Sequence, residues 1–495
     1  MLDEIIAAFA TPVGSSGLQV LRVAGPGSAK LCDRIFSFGK LPDIAATAVE
    51  ENIPSSLEYS KPDTRTVENL VGYQAAFGYI HEIDNPQRAI DQCVLIRFHE
   101  HKSYTGEEQV ELSIHGGRAL RRELLDLVLR AGARLAEAGE FTKWAFMNGK
   151  MDLSQAEAVM DLIEADTERQ HKAAIRHLQG DTALELQSIK NKVYELLSNL
   201  EVDIEYPEYE DFELQSEDLT TGVKFICDKL ESIVKSNRKG KVLRDGLQLV
   251  LVGEPNVGKS SLLNALSGEN RAIVTDIAGT TRDSIEIKIE LGGIPLTLHD
   301  TAGIRETDDP IEKLGVDRAK DLLANADLLL FVLNPGDKDK LILEIEEFLR
   351  LSAFDKDFII VFNKADLNAE MYQTLDDWDY IKKLAKTNDK FIDFISVSAL
   401  TGDAIGDLKD LVIEYYENMS GSGASDLILT SKRQQKLIED ANDVFRELNE
   451  QFEVLPNDII AAILRQGLEL LAEITGEDVS ENMISDIFSR FCIGK

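Results

Sequence analysis

Only four cysteines occur in 495 residues, Cys32, Cys93, Cys227 and Cys492, and they are widely scattered with no CxxC pair. That pattern speaks against a disulfide framework and against a zinc site, and a reducing compartment fits it best. Nowhere do eighteen apolar residues run together, so no membrane span is expected. Met1-Leu2-Asp3-Glu4 lacks the basic region that precedes the apolar part of a secretory signal, and a cytoplasmic protein is the expectation. Basic residues are also scarce: 53 Lys and Arg stand against 88 Asp and Glu, a formal charge of -35. A general nucleic-acid coat protein is thereby excluded, while a local basic site is not. Internal repeats are absent.

What is present is the composition of a soluble globular protein, 44% hydrophobic and 28% charged. A chain of 495 residues exceeds one hydrophobic core, and two to four domains are expected. Residues 1 to about 148 mix strand-like runs (Leu18 to Val23, Val94 to Phe98, Gln109 to Ile114) with amphipathic helices (Ser28 to Phe36, Leu120 to Ala131), which predicts an α+β domain. Between about 37 and 72 the chain is rich in Pro, Ser, Asp and Glu and reads as a long loop or insertion. At Asp152-Leu153-Ser154-Gln155 a helix cap with Gln three residues on opens a helical region. It is interrupted by the acidic stretch Glu201 to Asp218 and returns at Val223 to Val234. A basic cluster, Lys235, Arg238, Lys239, Lys241 and Arg244, then leads into a strand. Beyond about 411, Ser431 to Phe452, Asp458 to Ile474 and Ser480 to Phe491 again carry apolar residues at helical spacing. Helical flanks on both sides predict an inserted α/β domain at 244–411, with one all-α domain built from 149–243 and 412–495.

Within the insert, Gly253-Glu254-Pro255-Asn256-Val257-Gly258-Lys259-Ser260 follows the apolar run Leu247 to Val252 and precedes the helical Ser261 to Leu266. That is a P-loop in its required setting. Glycines let backbone N–H groups close around phosphate, Lys259 reaches the terminal phosphates and Ser260 can ligate Mg²⁺. Four further signals follow at GTPase intervals. Gly279-Thr280-Thr281-Arg282-Asp283 supplies a threonine able to close over Mg²⁺ and the terminal phosphate, and Asp300-Thr301-Ala302-Gly303 follows the strand Pro295 to His299. Asn363-Lys364-Ala365-Asp366 ends the strand Phe358 to Phe362, and its carboxylate can accept both hydrogen bonds of the guanine N1 and N2 edge, which adenine does not offer. Ser398-Ala399-Leu400 completes the base pocket. These five ordered elements resemble the Era-like branch of the TRAFAC GTPases.

The residue after this Asp-x-x-Gly element is Ile304, where Ras-like sites carry the glutamine that orients water. Two side chains are candidates for the missing work. Asn256 can ligate a monovalent cation, the alternative being simple loop geometry. Glu312 can reach the attacking water, the alternative being a solvated helix-start carboxylate.

The C-terminal Phe491-Cys492-Ile493-Gly494-Lys495, together with Ala10-Thr11-Pro12-x-Gly14, Tyr104-Thr105-Gly106-Glu107, Glu111 to Gly117, Gly139-Glu140-Phe141-Thr142 and Asn148 to Leu153, closely resembles the MnmE family, also called TrmE, of tRNA-modifying GTPases. The resemblance covers nearly the whole chain and is poor at 37–72. It implies a partnership with the flavoprotein MnmG, installing an aminomethyl or carboxymethylaminomethyl group on carbon 5 of the wobble uridine of certain tRNAs. It implies a constitutive homodimer through an N-terminal domain (1–148) that binds a tetrahydrofolate derivative, in the 5,10-methylene or formyl form, at Arg22, Glu111, Lys150 and Lys495. It extends the GTP-binding set to Val257, Gly258, Ser261, Thr275, Asp276, Ile277, Ala278 and Gly279. Potassium would lie at Asn256, Thr275, Ile277 and Thr280, Mg²⁺ at Ser260 and Thr281, and the attacking water at Glu312. Cys492 is a candidate nucleophile or acid near the modified base, with packing against the helical core as its alternative. A ribosome-assembly or signalling GTPase without modification activity is the competing expectation, and the N-terminal half and the C-terminal sequence speak against it.

Overall fold

The computed structural model describes residues 4–39, 65–205, 216–268, 286–300, 322–334, 338–351, 356–367, 383–419, 427–477 and 479–494. Two compact units emerge: residues 1–160 with 475–495, and residues 161–474.

The first unit is built on a seven-stranded sheet, β1 (Ile6–Phe9), β2 (Ser16–Ala24), β3 (Phe36–Phe38), β4 (Gln74–His81), β5 (Ala89–Phe98), β6 (Gln109–Gly116) and β7 (Arg134–Leu135), in the order β3-β4-β5-β6-β2-β1-β7. Its pairings are antiparallel except β1 with β7. Strand periodicity sends alternate residues to opposite faces. Leu21, Val23, Leu95 and Leu112 bury one face under α1 (Ser28–Cys32) and α2 (Arg118–Ala131), whose Leu124, Leu127 and Val128 complete the core. On the other face, Ile6, Ala8 and Ala24 pack under α3 (Glu140–Met147) through Phe141 and Trp144. That cover is partial: Phe77 and Val94, paired across β4 and β5, are 55% and 39% exposed. The expected helix Ser28 to Phe36 ends early, at Cys32, because Phe36 and Phe38 alternate with Ser37 as strand residues buried in the same core. The thiols of Cys32 and Cys93 are both buried, and burial, with Asp91 nearby, pushes Cys93 up to about 12.

Asp152 caps α4 (Leu153–Glu164) as expected. Its carboxylate accepts from the Gln155 amide at 2.8 Å, and Gln155 Oε1 accepts from the Asp152 amide at 2.9 Å. Leu153 and Ala156 then pack with Ile484, Phe488 and Phe491 of the C-terminal segment, whose helix spans Glu481–Ser489.

The second unit contains α5 (Glu168–Leu178), α6 (Asp181–Glu205) and α7 (Ser216–Asp245), followed by an α/β layer. In that layer β8 (Leu247–Val252), β9 (Glu286–Leu291), β10 (Ile294–Asp300), β11 (Leu328–Leu333), β12 (Phe358–Phe362) and β13 (Phe391–Ser396) lie in the order β13-β12-β11-β8-β10-β9. All pairings are parallel except β9 with β10. β8, β11 and β12 are almost wholly apolar because both faces of a parallel sheet are covered, here by α8 (Lys259–Ser267), α9 (Lys338–Leu351) and α10 (Ile405–Asn418) among others. α11 (Lys432–Gln451) and α12 (Asn457–Thr475) then return to α6 and α7, burying Leu196, Ile226, Phe445 and Leu464 in one helical core. The helix expected at Val223 to Val234 runs from Ser216 to Asp245, so the basic cluster Lys235 to Arg244 sits on helix rather than in a lead-in segment. Among the described residues no helix is long and apolar enough to cross a membrane.

Candidate nucleotide site and N-terminal pocket

In parallel sheets ligands bind beyond the carboxyl ends of the strands, where the strand order reverses. Here β9 and β10 lie on one side of β8 and β11 to β13 on the other, so the loop after β8 occupies the reversal point. That loop is Gly253 to Gly258. Gly258 caps α8 with φ 97°, and a Cβ there would collide with the Asn363 carboxamide, so glycine is required twice over. Asn256 also adopts a left-handed backbone, φ 66°, which asparagine tolerates better than most residues. Lys259 is buried, and its ammonium donates to the carbonyls of Gly253 at 2.8 Å and Glu254 at 3.0 Å, closing the loop over the first turn of α8. Val257 is buried, whereas Asn256, Ser260 and Ser261 face solvent.

The base-pocket residues converge on the same loop. Asn363 Nδ2 donates to the Val257 carbonyl at 3.0 Å, and Asn363 Oδ1 accepts from the Ala399 amide at 3.0 Å. Lys364 donates to the Asn256 carbonyl at 2.7 Å. Asp366 is exposed next to Ala365, and one of its carboxylate oxygens accepts from the buried Ser398 hydroxyl at 2.6 Å. Ser398 Oγ in turn accepts from the Thr401 amide at 3.2 Å. Leu400 is 86% exposed at the pocket's edge. Asp300 ends β10, beside β8. Thr275, Asp276, Ile277, Ala278, Gly279, Thr280, Thr281, Thr301, Ala302, Gly303 and Glu312 lie outside the described residues.

In the first unit, Arg22 and Glu111 are opposite one another on β2 and β6, and Arg22 Nε donates to Glu111 Oε1 at 2.9 Å. Side chains that sequence reasoning had not marked as functional complete the pocket. Arg22 lies 5.1 Å from the Tyr104 ring centroid and 5.4 Å from that of Phe141, positions suited to cation–π attraction. Tyr104 and Thr142 share a hydroxyl hydrogen bond of 2.9 Å. Gln109, almost wholly buried, donates to Glu111 at 3.0 Å, and its own Oε1 is buried without a partner in the structure. Such an orphaned buried acceptor calls for a donor from elsewhere. Lys150 donates to the His101 carbonyl at 2.9 Å, beside Asn148, which ties itself to Thr105 and Glu107 of the loop that carries Tyr104.

The C-terminal segment joins this unit. Ile493 bridges to Ala138, the Gly139 amide donates to the Cys492 carbonyl at 3.3 Å, and Gly494 packs on the Phe9 carbonyl so closely that no side chain would fit. Phe491 is buried while the Cys492 side chain is exposed, so the thiol does not pack into a core. Lys495 lies outside the described residues.

A family model described as GTP-binding protein TrmE N-terminus matches residues 5–150, and one described as MnmE helical domain matches residues 153–492. The chain belongs to the MnmE family. Proteins named tRNA modification GTPase MnmE from Clostridioides difficile (strain 630) and Bacillus velezensis are 38% and 36% identical to it over 506 and 498 residues, covering 100% and 99% of this chain and 100% of each relative. The MnmE of Bacillus subtilis (strain 168) is 34% identical over 496 residues. Membership of this family accounts for the pairing of a P-loop layer with a TrmE N-terminal unit in one chain.

Removing the Ser398 hydroxyl frees one oxygen of Asp366 and leaves the Thr401 amide without its acceptor. Ser398→Ala is expected to weaken guanine-nucleotide binding roughly 3- to 10-fold, the worth of about one hydrogen bond, in a titration with fluorescent GDP. An unchanged Kd would show that Asp366 is held by other means.

Proposed function

We propose that the chain is a potassium-dependent GTPase that works with MnmG in modifying carbon 5 of the wobble uridine of certain tRNAs, using a one-carbon unit from a tetrahydrofolate derivative. The single observation that carries this reading is the coexistence, in one MnmE-family chain, of a phosphate-loop and base-binding frame around Gly253 to Ser260 with the Arg22–Glu111 pair and its surrounding rings in the first unit.

For GTP, Lys259 and the loop amides hold the phosphates, while Asp366, oriented by Ser398, accepts from the guanine edge. Ser260, in the first turn of α8, and Thr281 would hold Mg²⁺, which when bound neutralises charge on the terminal phosphates. Asn256 with Thr275, Ile277 and Thr280 would hold K⁺, whose charge offsets charge developing at the β/γ bridge. The exposed, left-handed position of Asn256 within the phosphate loop fits that role. Glu312 takes over water positioning that Ile304 cannot perform. The two GTPase layers of a dimer would then meet across their nucleotide faces.

For the folate, Glu111 is suited to accept from the pterin N–H edge, while Arg22, Lys150 and Lys495 suit the glutamate carboxylates. The unpartnered Gln109 Oε1 and the Tyr104 and Phe141 rings support a flat polar ligand here. A homodimer is supported by the uncovered sheet face, where Phe77 and Val94 are exposed in register across β4 and β5, with Leu18 exposed on β2. Large exposed apolar groups side by side on a sheet mark an interaction surface. The exposed Cys492 thiol, on a tail stitched to Gly139 and Phe9, remains available as a nucleophile or acid for the base. Free cysteines fit a cytoplasmic setting.

GTP turnover measured in matched potassium and sodium buffers is expected to be on the order of 10²-fold slower in sodium, the usual worth of one transition-state stabiliser; equal rates would sink the cation assignment. Separately, Glu111→Gln is expected to weaken 5-formyltetrahydrofolate binding about 10-fold or more in calorimetry, the scale of a hydrogen bond to a charged group. Undiminished affinity would move the folate elsewhere.

A further inference from the structure

A cavity of about 200 Å³ in the second unit belongs to neither site. Arg169, Lys172 and Arg176 line it from α5, with Leu243 from α7, Tyr416 from α10 and the buried His177 among the other walls. Positions 169, 172 and 176 fall on one helix face, so three cations are directed at one volume. Lys239 of α7 is not part of the cavity wall but adds positive charge nearby, its Nζ 5.8 Å from the Tyr416 ring centroid, while the Arg169 guanidinium lies 5.4 Å from the same ring. In a chain of net charge -35, cations gathered in this way stand out.

Each cation of α5 is held by a carboxylate that is not part of the cavity wall: Arg169 by Glu417 at 2.7 Å, Lys172 by Glu168 at 2.6 Å and Arg176 by Asp181 at 2.9 Å. The Lys172 and Arg176 side chains are 70% and 51% exposed. Ion pairs this exposed are weak and exchange readily for a better acceptor. A phosphate is such an acceptor, because its oxygens match the guanidinium fork and take several charge-assisted hydrogen bonds at once.

We propose that this cavity binds a backbone phosphate of the RNA substrate, an inference that rests on the tRNA reading above. Size excludes a whole nucleotide or cofactor, since pockets for such ligands run to about 300–1,000 Å³. The rings in the wall, Tyr416 and His177, are 2% and 3% exposed, so no base can stack on them, and the site reads backbone rather than sequence. An acidic chain that binds a polyanion needs its cations gathered in this way. Arg169 also donates to the Gly292 carbonyl at 3.0 Å, in the turn between β9 and β10, and is for that reason unsuited to the test.

The experiment uses the full chain and measures affinity for a tRNA substrate, and for an unrelated RNA of equal length, across a series of salt concentrations. Lys172→Glu/Arg176→Glu is compared with wild type and with Lys436→Glu, a control on α11 whose lysine pairs with Asp440 outside the cavity. The double variant is expected to bind both RNAs at least 10-fold more weakly. Its log K against log salt should be shallower by about 0.7 to 0.9, the share of one phosphate contact, while the control keeps the wild-type slope. Lys172→Gln/Arg176→Gln should show the same slope change with a smaller loss of affinity, and it serves if the charge reversal disturbs the far-UV circular dichroism or melting. Wild-type affinity and slope in both doubles, or an equal loss in Lys436→Glu, would overturn the proposal. Failure of the wild-type chain to bind any tRNA would instead overturn the tRNA reading on which it rests.

Discussion

The Asn363 carboxamide is buried at 2% exposure and makes hydrogen bonds to two other loops, donating to the Val257 carbonyl and accepting from the Ala399 amide. Three segments far apart in sequence are thereby held to one geometry: the phosphate loop after β8, the loop after β12 and the loop after β13. Each buried group orphaned by its loss would cost about 1–3 kcal/mol, against a typical domain stability of about 5–15 kcal/mol. The constraint propagates outward. Asn363 excludes any side chain at position 258, the resulting glycine permits the left-handed entry into α8, and that entry aims Lys259 back across the loop. Asp366, three residues beyond Asn363, then meets Ser398 because both follow neighbouring parallel strands.

The first unit has a comparable centre of different chemistry. Arg22 and Glu111 are adjacent only because β2 and β6 pair in register, and aromatic rings from a loop and from α3 close around the guanidinium. A second ion-pair group braces the same region: Arg134 on β7 donates to both oxygens of Glu140, at 2.9 and 2.6 Å, and fixes the start of α3. Burial raises the Glu140 pKa, but the hydrogen bonds from Arg134 and from the Glu137 amide outweigh it and leave the carboxyl below its usual range. The sign is that of a stabilising acid: the contribution is complete above the ordinary carboxylate pKa and fades as pH falls through the lowered value.

Much of this was legible in the residues. The parallel strands announced themselves as short apolar runs, and the P-loop, Asp300, Asn363 to Asp366 and Ser398 to Leu400 each fell at the end of a strand, as phosphate and base chemistry require. Asp152 and Gln155 read correctly as a helix cap because a capping box is local. Other features were hidden by their non-local character. Nothing near Arg22 in sequence indicates Tyr104 or Phe141, which only strand pairing and the packing of α3 bring together. Phe36 read as the end of a helix because apolar spacing over so few residues does not separate a helix end from a strand start. The basic residues 235–244 read as a lead-in because charge obscures periodicity, although Val242 and Leu243 face the core.

The competing picture of an Era-like GTPase without modification activity accounts for the sheet and its loops but leaves the TrmE N-terminal unit and the docked C-terminal segment without a purpose. Membership of the MnmE family, whose named relatives are tRNA modification GTPases, accounts for a chain that holds both. The most direct measurement is nucleoside mass spectrometry of tRNA from cells lacking this chain. The account predicts that the carbon-5 side group of the wobble uridine disappears and returns on complementation with the intact chain, and unchanged wobble uridines would contradict it.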